Sequence, residues 1–140
     1  MNWEIYLKES LDIFQKLSSD EISSNISDSI DNISESLKSG NSLLVCGNGG
    51  SASDAMHITG ELVGRFLEER KGLKAICLSS NPSILTAWAN DYSYDSIFSR
   101  QVEAFGEKGG SIICISTSGT SKNVVEAAKK AKEIGTVSYT

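Results

Sequence analysis

Four short apolar runs, interleaved with stretches of helical periodicity, constrain this chain more than any other feature. The runs are Ser42 to Cys46, Leu73 to Leu78, Ser111 to Ile115 and Thr136 to Tyr139, the last read as the beginning of a strand. Between them lie a helix from about Ser51 to about Glu69, a helix starting at Asn81-Pro82-Ser83, a helix over Ile97 to Phe105 and a helix ending near Ile134. The proline fits the first turn of its helix, and Gly109-Gly110 follows the end of the third. Strands alternating with helices predict an α/β fold, a doubly wound parallel sheet covered on both faces. In such sheets ligands bind beyond the carboxyl ends of the strands, where loops lead into helices.

Two further helices precede the sheet. Ile5, Leu7, Leu11, Phe14 and Leu17 recur at helical spacing, as do Ile22, Ile26, Ile30, Ile33 and Leu37. The second series is a narrow apolar stripe on a very polar helix, so it calls for a partner surface. Lys38-Ser39-Gly40-Asn41 supplies a glycine stop. The expected organisation is one domain over 1–140, with helices in 1–39 and the α/β core in 40–140.

Composition narrows the class. A hydrophobic share of 39% over 140 residues supports one buried core. The net charge of -5 disfavours a broad nucleic-acid surface but leaves room for one small anion held by backbone N–H groups. The start, Met1-Asn2-Trp3-Glu4, does not read as a secretory leader, and no apolar run reaches bilayer length. A cytoplasmic protein with no membrane partner is expected. Cys46, Cys77 and Cys114 sit in apolar runs at spacings that match neither a zinc motif nor a secreted disulfide frame, so they read as small core residues.

Two loops stand where ligands bind in such a sheet. Ser116, Thr117, Ser118, Thr120 and Ser121 place five hydroxyls within six residues, around Gly119 and ahead of a helix. Hydroxyls together with free helix N–H groups suit a phosphate monoester; a solvated, capped turn has the same composition. The first loop, Gly47-Asn48-Gly49-Gly50-Ser51, lacks the lysine of a P-loop and the spacing of a dinucleotide fingerprint. Its Asn48 and Ser51 offer polar groups to sugar hydroxyls, and Gly49 and Gly50 leave space. Both loops follow an apolar strand and open a helix.

The helix after the first loop carries Asp54, His57 and Glu61 on one face. His57 and Glu61, one turn apart, suit one divalent metal or an imidazole–carboxylate pair for proton transfer, and equally an ordinary solvated face. Arg65, a further turn on, is placed to pair with Glu61. Asn90-Asp91 ends another helix, either as turn residues or within reach of the same crevice.

Taken in order, these segments resemble a known family. Gly47 to Ser51, Asp54 to His57, Glu61 to Phe66, Asn90-Asp91, Asp95 to Glu103 and Ser116 to Val124 are similar to the phosphoheptose isomerases. These form the sedoheptulose 7-phosphate branch of the sugar isomerase (SIS), flavodoxin-like fold. The resemblance covers essentially the whole chain. It implies that Asn48, Gly49, Gly50 and Ser51 line a sugar site, and that Ser116, Thr117, Ser118 and Ser121 hold the phosphate. It implies that Asn90 and Asp91 touch substrate. His57 and Glu61 would be catalytic residues and ligands of a zinc ion, Glu61 also serving as the proton-transferring base. The implied reaction yields D-glycero-D-manno-heptose 7-phosphate for bacterial surface polysaccharide, and the implied assembly is a homotetramer packed through the N-terminal helices.

The family pattern also calls for a later glutamine and histidine, whereas His57 is the single histidine in this chain. The last strand and helix of the fold are expected to be missing, so weak sugar-phosphate binding and poor turnover are expected of these 140 residues alone. The main rival is a non-catalytic SIS protein that binds the bacterial replication initiator. Such relatives lack the glutamate at Glu61 and carry arginine where this chain has Ser118. A sugar-phosphate sensor of a transcriptional regulator would need a basic recognition helix, which the N-terminal helices do not show.

Overall fold

The computed structural model describes residues 2–139. They form α1 (Trp3–Leu17), α2 (Asp20–Lys38), β1 (Leu43–Gly47), α3 (Gly50–Val63), β2 (Ala75–Cys77), α4 (Pro82–Asp91), α5 (Ile97–Phe105), β3 (Ser111–Ile115), α6 (Lys122–Ile134) and β4 (Val137–Tyr139), with a 3₁₀ turn at Tyr94–Ser96. The chain divides into two compact units, Met1–Ser34 and Glu35–Thr140. The division falls inside α2. The reason is local: the Ser36 hydroxyl donates to Gly109 O at 2.7 Å, and Asn41 N donates to Ser36 O at 3.1 Å. The last turn of α2 is thereby tied to the sheet unit.

In the first unit, α1 begins at Asn2, whose side chain accepts from Glu4 N. It has no buried residue; Trp3, Ile5, Tyr6, Leu7, Leu11, Ile13, Phe14 and Leu17 are all exposed. Ile26 and Ile30 of α2 are exposed as well. The apolar stripe of α1 therefore remains uncovered in the single chain, whereas Ile22, Ile33 and Leu37 of the α2 stripe are half-buried.

In the second unit the apolar runs form one parallel sheet in the order β2-β1-β3-β4. β1 pairs with β2 on one side and, over its full length, with β3 on the other. The chain thus reverses its winding direction between β1 and β3. Right-handed crossovers on either side of a reversal put their helices on opposite faces. Accordingly α3 packs against β1 and β2, while α5 and α6 pack together on the other side. Leu44, Cys46, Ile112 and Cys114, paired across β1 and β3, face Phe98, Val102, Val124, Ala127 and Ala131. Leu43 and Val45 alternate toward α3 and are equally buried. The three cysteines are free thiols; Cys46 and Cys114 are buried and Cys77 is half-buried.

Two element boundaries depart from the sequence reading. The helix expected to reach Glu69 stops at Val63. Arg65 to Glu69 are good helix formers, so the periodicity gave no warning. The chain leaves the helix at Gly64, and Phe66 adopts a left-handed φ of 50°. Arg70 then folds back, donating to Leu62 O at 2.8 Å and Glu61 O at 2.9 Å. Its charge satisfies carbonyls at the negative end of α3. The strand expected from Leu73 is reduced to Ala75–Cys77, although hydrogen bonds from Leu43 N to Lys74 O and from Leu78 N to Val45 O continue the pairing on either side.

Opposite the loop end of the sheet, Glu107 joins the strand starts. Its Oε1 accepts from Ser42 N at 2.8 Å and Ser42 Oγ at 2.9 Å, and its carbonyl accepts from Thr136 Oγ1 at 2.8 Å. The two Ser42 donors hold the carboxyl below its usual value of 4.5. A carboxyl lowered by folding adds stability above its unfolded value, and that contribution is lost as pH falls through the folded one. The stability gap between the native chain and Glu107→Gln is therefore expected to be constant above pH 4.5 and to narrow below it, as read from urea midpoints over a pH series. Phe98, 1% exposed at the centre of the core, is expected to cost about 3–5 kcal/mol when replaced by alanine, measured in the same urea titration.

Candidate functional site

The winding reversal places the C-terminal ends of β1 and β3 side by side, with Gly47 paired to Ile115. The loops that leave these two ends converge. Asn48 and Ser51 from the first, Ile115 at the strand end, and Ser116, Thr117, Ser118 and Ser121 from the second line one cleft of about 170 Å³. The two loops thus share one cleft, with α6 opening directly beneath the second.

Each loop is shaped by specific contacts. Gly47 carries no side chain because a Cβ there would sit 2.6 Å from Ser51 O and 2.7 Å from Ser51 Cβ. Ser79, two residues past β2, grips the same residue: its hydroxyl donates to Gly47 O at 2.8 Å and accepts from Gly47 N at 3.2 Å. Gly49 precedes α3 with a φ of 56°, a left-handed conformation that glycine adopts without penalty. In the second loop Ser116 Oγ donates to Ser121 Oγ at 3.2 Å, and Ser118 Oγ accepts from Thr120 N at 3.2 Å. Thr117 and Ser118 remain exposed. This is a ring of hydroxyls around the positive end of a 13-residue helix, a set of donors whose type suits an oxyanion. Lys122 is exposed and lies 3.7 Å from Asp95.

Asn48 is the best-anchored group of the first loop. Its amide and that of Asn123, 75 residues later, exchange two hydrogen bonds of 2.9 Å. Tyr94 OH donates to Asn48 Oδ1 at 3.0 Å. Asn123, Tyr94 and Ser79 did not emerge from the sequence as site residues. Asn123 lies inside the quoted motif Ser121-Lys122-Asn123-Val124, but its partner is visible only once β1 and β3 are adjacent. Cys46, directly before the loop, is buried, and its hydrogen bond to Cys114 Sγ and its burial raise the thiol above the ordinary range.

The remaining sequence candidates lie elsewhere on the single chain. Gly49 and Gly50 are exposed at the mouth of the first loop without lining the cleft. His57 and Glu61 line a second, larger cleft of about 570 Å³, with Arg65, Phe66 and Arg70 opposite them in the segment after α3. Glu61 is half-buried and His57 exposed. Among the described residues Arg65 forms no ion pair with Glu61. Asp91 lines a third cleft of about 390 Å³ beside Trp88, Tyr92 and Arg100, and Asn90 donates to Asp91 Oδ1 at 2.9 Å. For zinc, His57 and Glu61 are donors of the right type one helical turn apart. Among the described residues, however, no group of three or more metal-binding side chains is found, and zinc takes about four ligands. The pair fits part of a zinc site and not a whole one.

The sequence profile of the SIS domain matches residues 5–138. A probable phosphoheptose isomerase of Thermoplasma acidophilum is 57% identical over 112 residues, covering 79% of this chain and 62% of the relative. A phosphoheptose isomerase of Clostridium acetobutylicum is 47% identical over 133 residues, covering 94% of this chain and 68% of the relative. Among solved structures, a phosphoheptose isomerase from Neisseria gonorrhoeae superposes with a TM-score of 0.84 at 36% identity, covering 96% of this chain and 70% of that one. The chain spans 62% and 53% of the length of the first two curated relatives it matches.

Gly47→Ala is expected to destabilise the chain by about 1–3 kcal/mol, the cost of overpacking where backbone must move, and to displace Asn48 from the cleft. Urea unfolding and the amide spectrum of Asn48 check the two effects.

Proposed function

We propose that this chain, which belongs to the SIS-domain family and to its phosphoheptose isomerase branch, is the phosphate-gripping and base-bearing part of an enzyme that isomerises sedoheptulose 7-phosphate to D-glycero-D-manno-heptose 7-phosphate. The observation that carries this reading is the convergence of the glycine loop and the serine loop on one cleft over the positive end of α6.

In this reading the phosphate is held by the hydroxyls of Ser116, Thr117, Ser118 and Ser121 and by the first N–H groups of α6. Asn48 and Ser51, with Gly49 and Gly50 beside them, meet the sugar, and Asn90 and Asp91 contact it from the end of α4. Glu61, which lines the separate larger cleft of the single chain, is the base of this reading: once the oligomer brings it to the sugar, it takes a proton from the hydroxymethyl carbon next to the ketose carbonyl. The electron pair moves into an enediol, and the same proton returns to the former carbonyl carbon, leaving an aldose. One proton moves between neighbouring carbons, and the hydroxyl proton exchanges between the two oxygens. His57, one turn before Glu61, orients or exchanges protons with it. A zinc ion is the proposed cofactor and supplies Lewis-acid polarisation of the sugar oxygens when bound. This chain contributes His57 and Glu61 to it.

The uncovered apolar face of α1 supports a homo-oligomer, for which a tetramer is proposed. The proposed location is the cytoplasm, and among the described residues no helix is long and apolar enough to cross a membrane. The product would feed heptose into bacterial surface polysaccharide. Glu61 and Ser118 favour the isomerase over initiator-binding relatives.

The test is isomerisation of sedoheptulose 7-phosphate by the full-length gene product. Glu61→Gln is expected to lower kcat by about 10²–10⁴ with little change in substrate affinity, whereas Ser118→Ala and Ser121→Ala raise KM. Undiminished turnover by Glu61→Gln would overturn the assignment of the base. Absence of isomerisation together with specific capture of the replication initiator would replace the reading.

A further inference from the structure

The hydrogen bonds around Asn48 settle more than its position. An asparagine amide can be turned either way unless its neighbours discriminate oxygen from nitrogen. The discrimination here starts on α6. Asn123 is 3% exposed, and its Oδ1 accepts from Val124 N at 3.0 Å. A backbone N–H can only donate, so the oxygen of Asn123 must face it. That orientation propagates across the reciprocal pair. Asn48 must present Nδ2 to Asn123 Oδ1 and Oδ1 to Asn123 Nδ2, each at 2.9 Å. Tyr94 OH, at 3.0 Å, must then donate to Asn48 Oδ1. The oxygen of Asn48 now accepts two hydrogen bonds, which uses both of its lone pairs. Its nitrogen donates one, and its second N–H has no partner among the described residues. Asn48 lines the cleft beside Ser51 and Ser116.

We infer that Asn123 and Tyr94 are positioning residues that lock the Asn48 amide as a hydrogen-bond donor, so that the first loop recognises an acceptor oxygen on the sugar portion of a phosphorylated ligand. Asn123 stands on the helix whose N-terminus underlies the serine loop. The clasp therefore couples the orientation of the sugar-reading amide to the element that grips phosphate. The identity of the ligand rests on the isomerase reading above; the clasp itself does not.

Two measurements on the whole chain separate these statements. The first is the side-chain amide spectrum of Asn48 with no ligand present. Tyr94→Phe removes one hydroxyl from an exposed ring, and Asn123→Ser keeps a short acceptor for Val124 N while removing the reciprocal pair. Both are expected to shift the Asn48 Nδ2 protons and speed their exchange with water. Unchanged Asn48 resonances in both variants overturn the clasp.

The second is binding of sedoheptulose 7-phosphate and of inorganic phosphate in the native and Asn48→Ala backgrounds. Tyr94→Phe is expected to weaken the sugar phosphate about fivefold, as for loss of one neutral hydrogen bond, and Asn123→Ser about tenfold or more. Inorganic phosphate binding is expected to change less than about threefold, since the serine loop keeps its hydroxyls. In the Asn48→Ala background both substitutions are expected to have no further effect, because they act through Asn48. A purely structural role would cost the same factor in either background and would overturn the inference. If the native chain binds phosphate but not the heptose phosphate while the spectra respond as expected, the clasp stands and the substrate assignment falls.

Discussion

Because β1 and β3 lie side by side, paired from Leu43 with Ser111 to Gly47 with Ile115, their loop ends emerge as neighbours. This pairing is where the sheet changes winding direction, so the loops after β1 and β3 lead to helices on opposite faces, α3 and α6. A crevice is left at their carboxyl ends. The glycine loop can approach α3 closely because Gly47 lacks a Cβ, and the serine loop opens α6. The Asn48–Asn123 pair exists only because the same register brings residues 75 apart into contact. The core follows from it as well: Leu44 and Cys46 meet Ile112 and Cys114 on the face covered by α5 and α6.

The single chain separates two chemistries. Hydroxyls and helix N–H groups gather around one cleft, while His57 and Glu61 line another with Arg65 and Arg70 close by. An anion site needs only fixed dipoles, which a loop and a helix end provide within one chain. A metal or proton-transfer site needs several ligands or partners drawn to one point. Two groups on one helical turn have the donor types for such a site and do not by themselves make one. The uncovered apolar side chains of α1 belong to the same pattern, since that surface gains stability by burial against another surface.

Much of this was legible beforehand, for identifiable reasons. α5 and β3 match the expected ranges because period and punctuation agree there: Ile97 to Phe105 is amphipathic, and Gly109-Gly110 separates it from a continuous apolar strand. The end of α3 was not legible. Arg65 to Glu69 have the propensity to continue a helix, and what stops it is the Gly64 exit together with a cap from Arg70, a tertiary contact. The placement of Asp91 beside Trp88 and Arg100 likewise depends on how α4 and α5 pack.

By itself, the sequence determined the alternation of strands and helices, the two polar loops at strand ends and the residue types each offers, because periodicity, glycine placement and hydroxyl clustering are local properties. Only the tertiary structure decided which loops share a cleft, that His57 and Glu61 stand apart from it, and which way the Asn48 amide points. Those outcomes depend on strand order and on hydrogen bonds between distant residues, and a parallel sheet sets both through crossovers that leave no mark in any single segment.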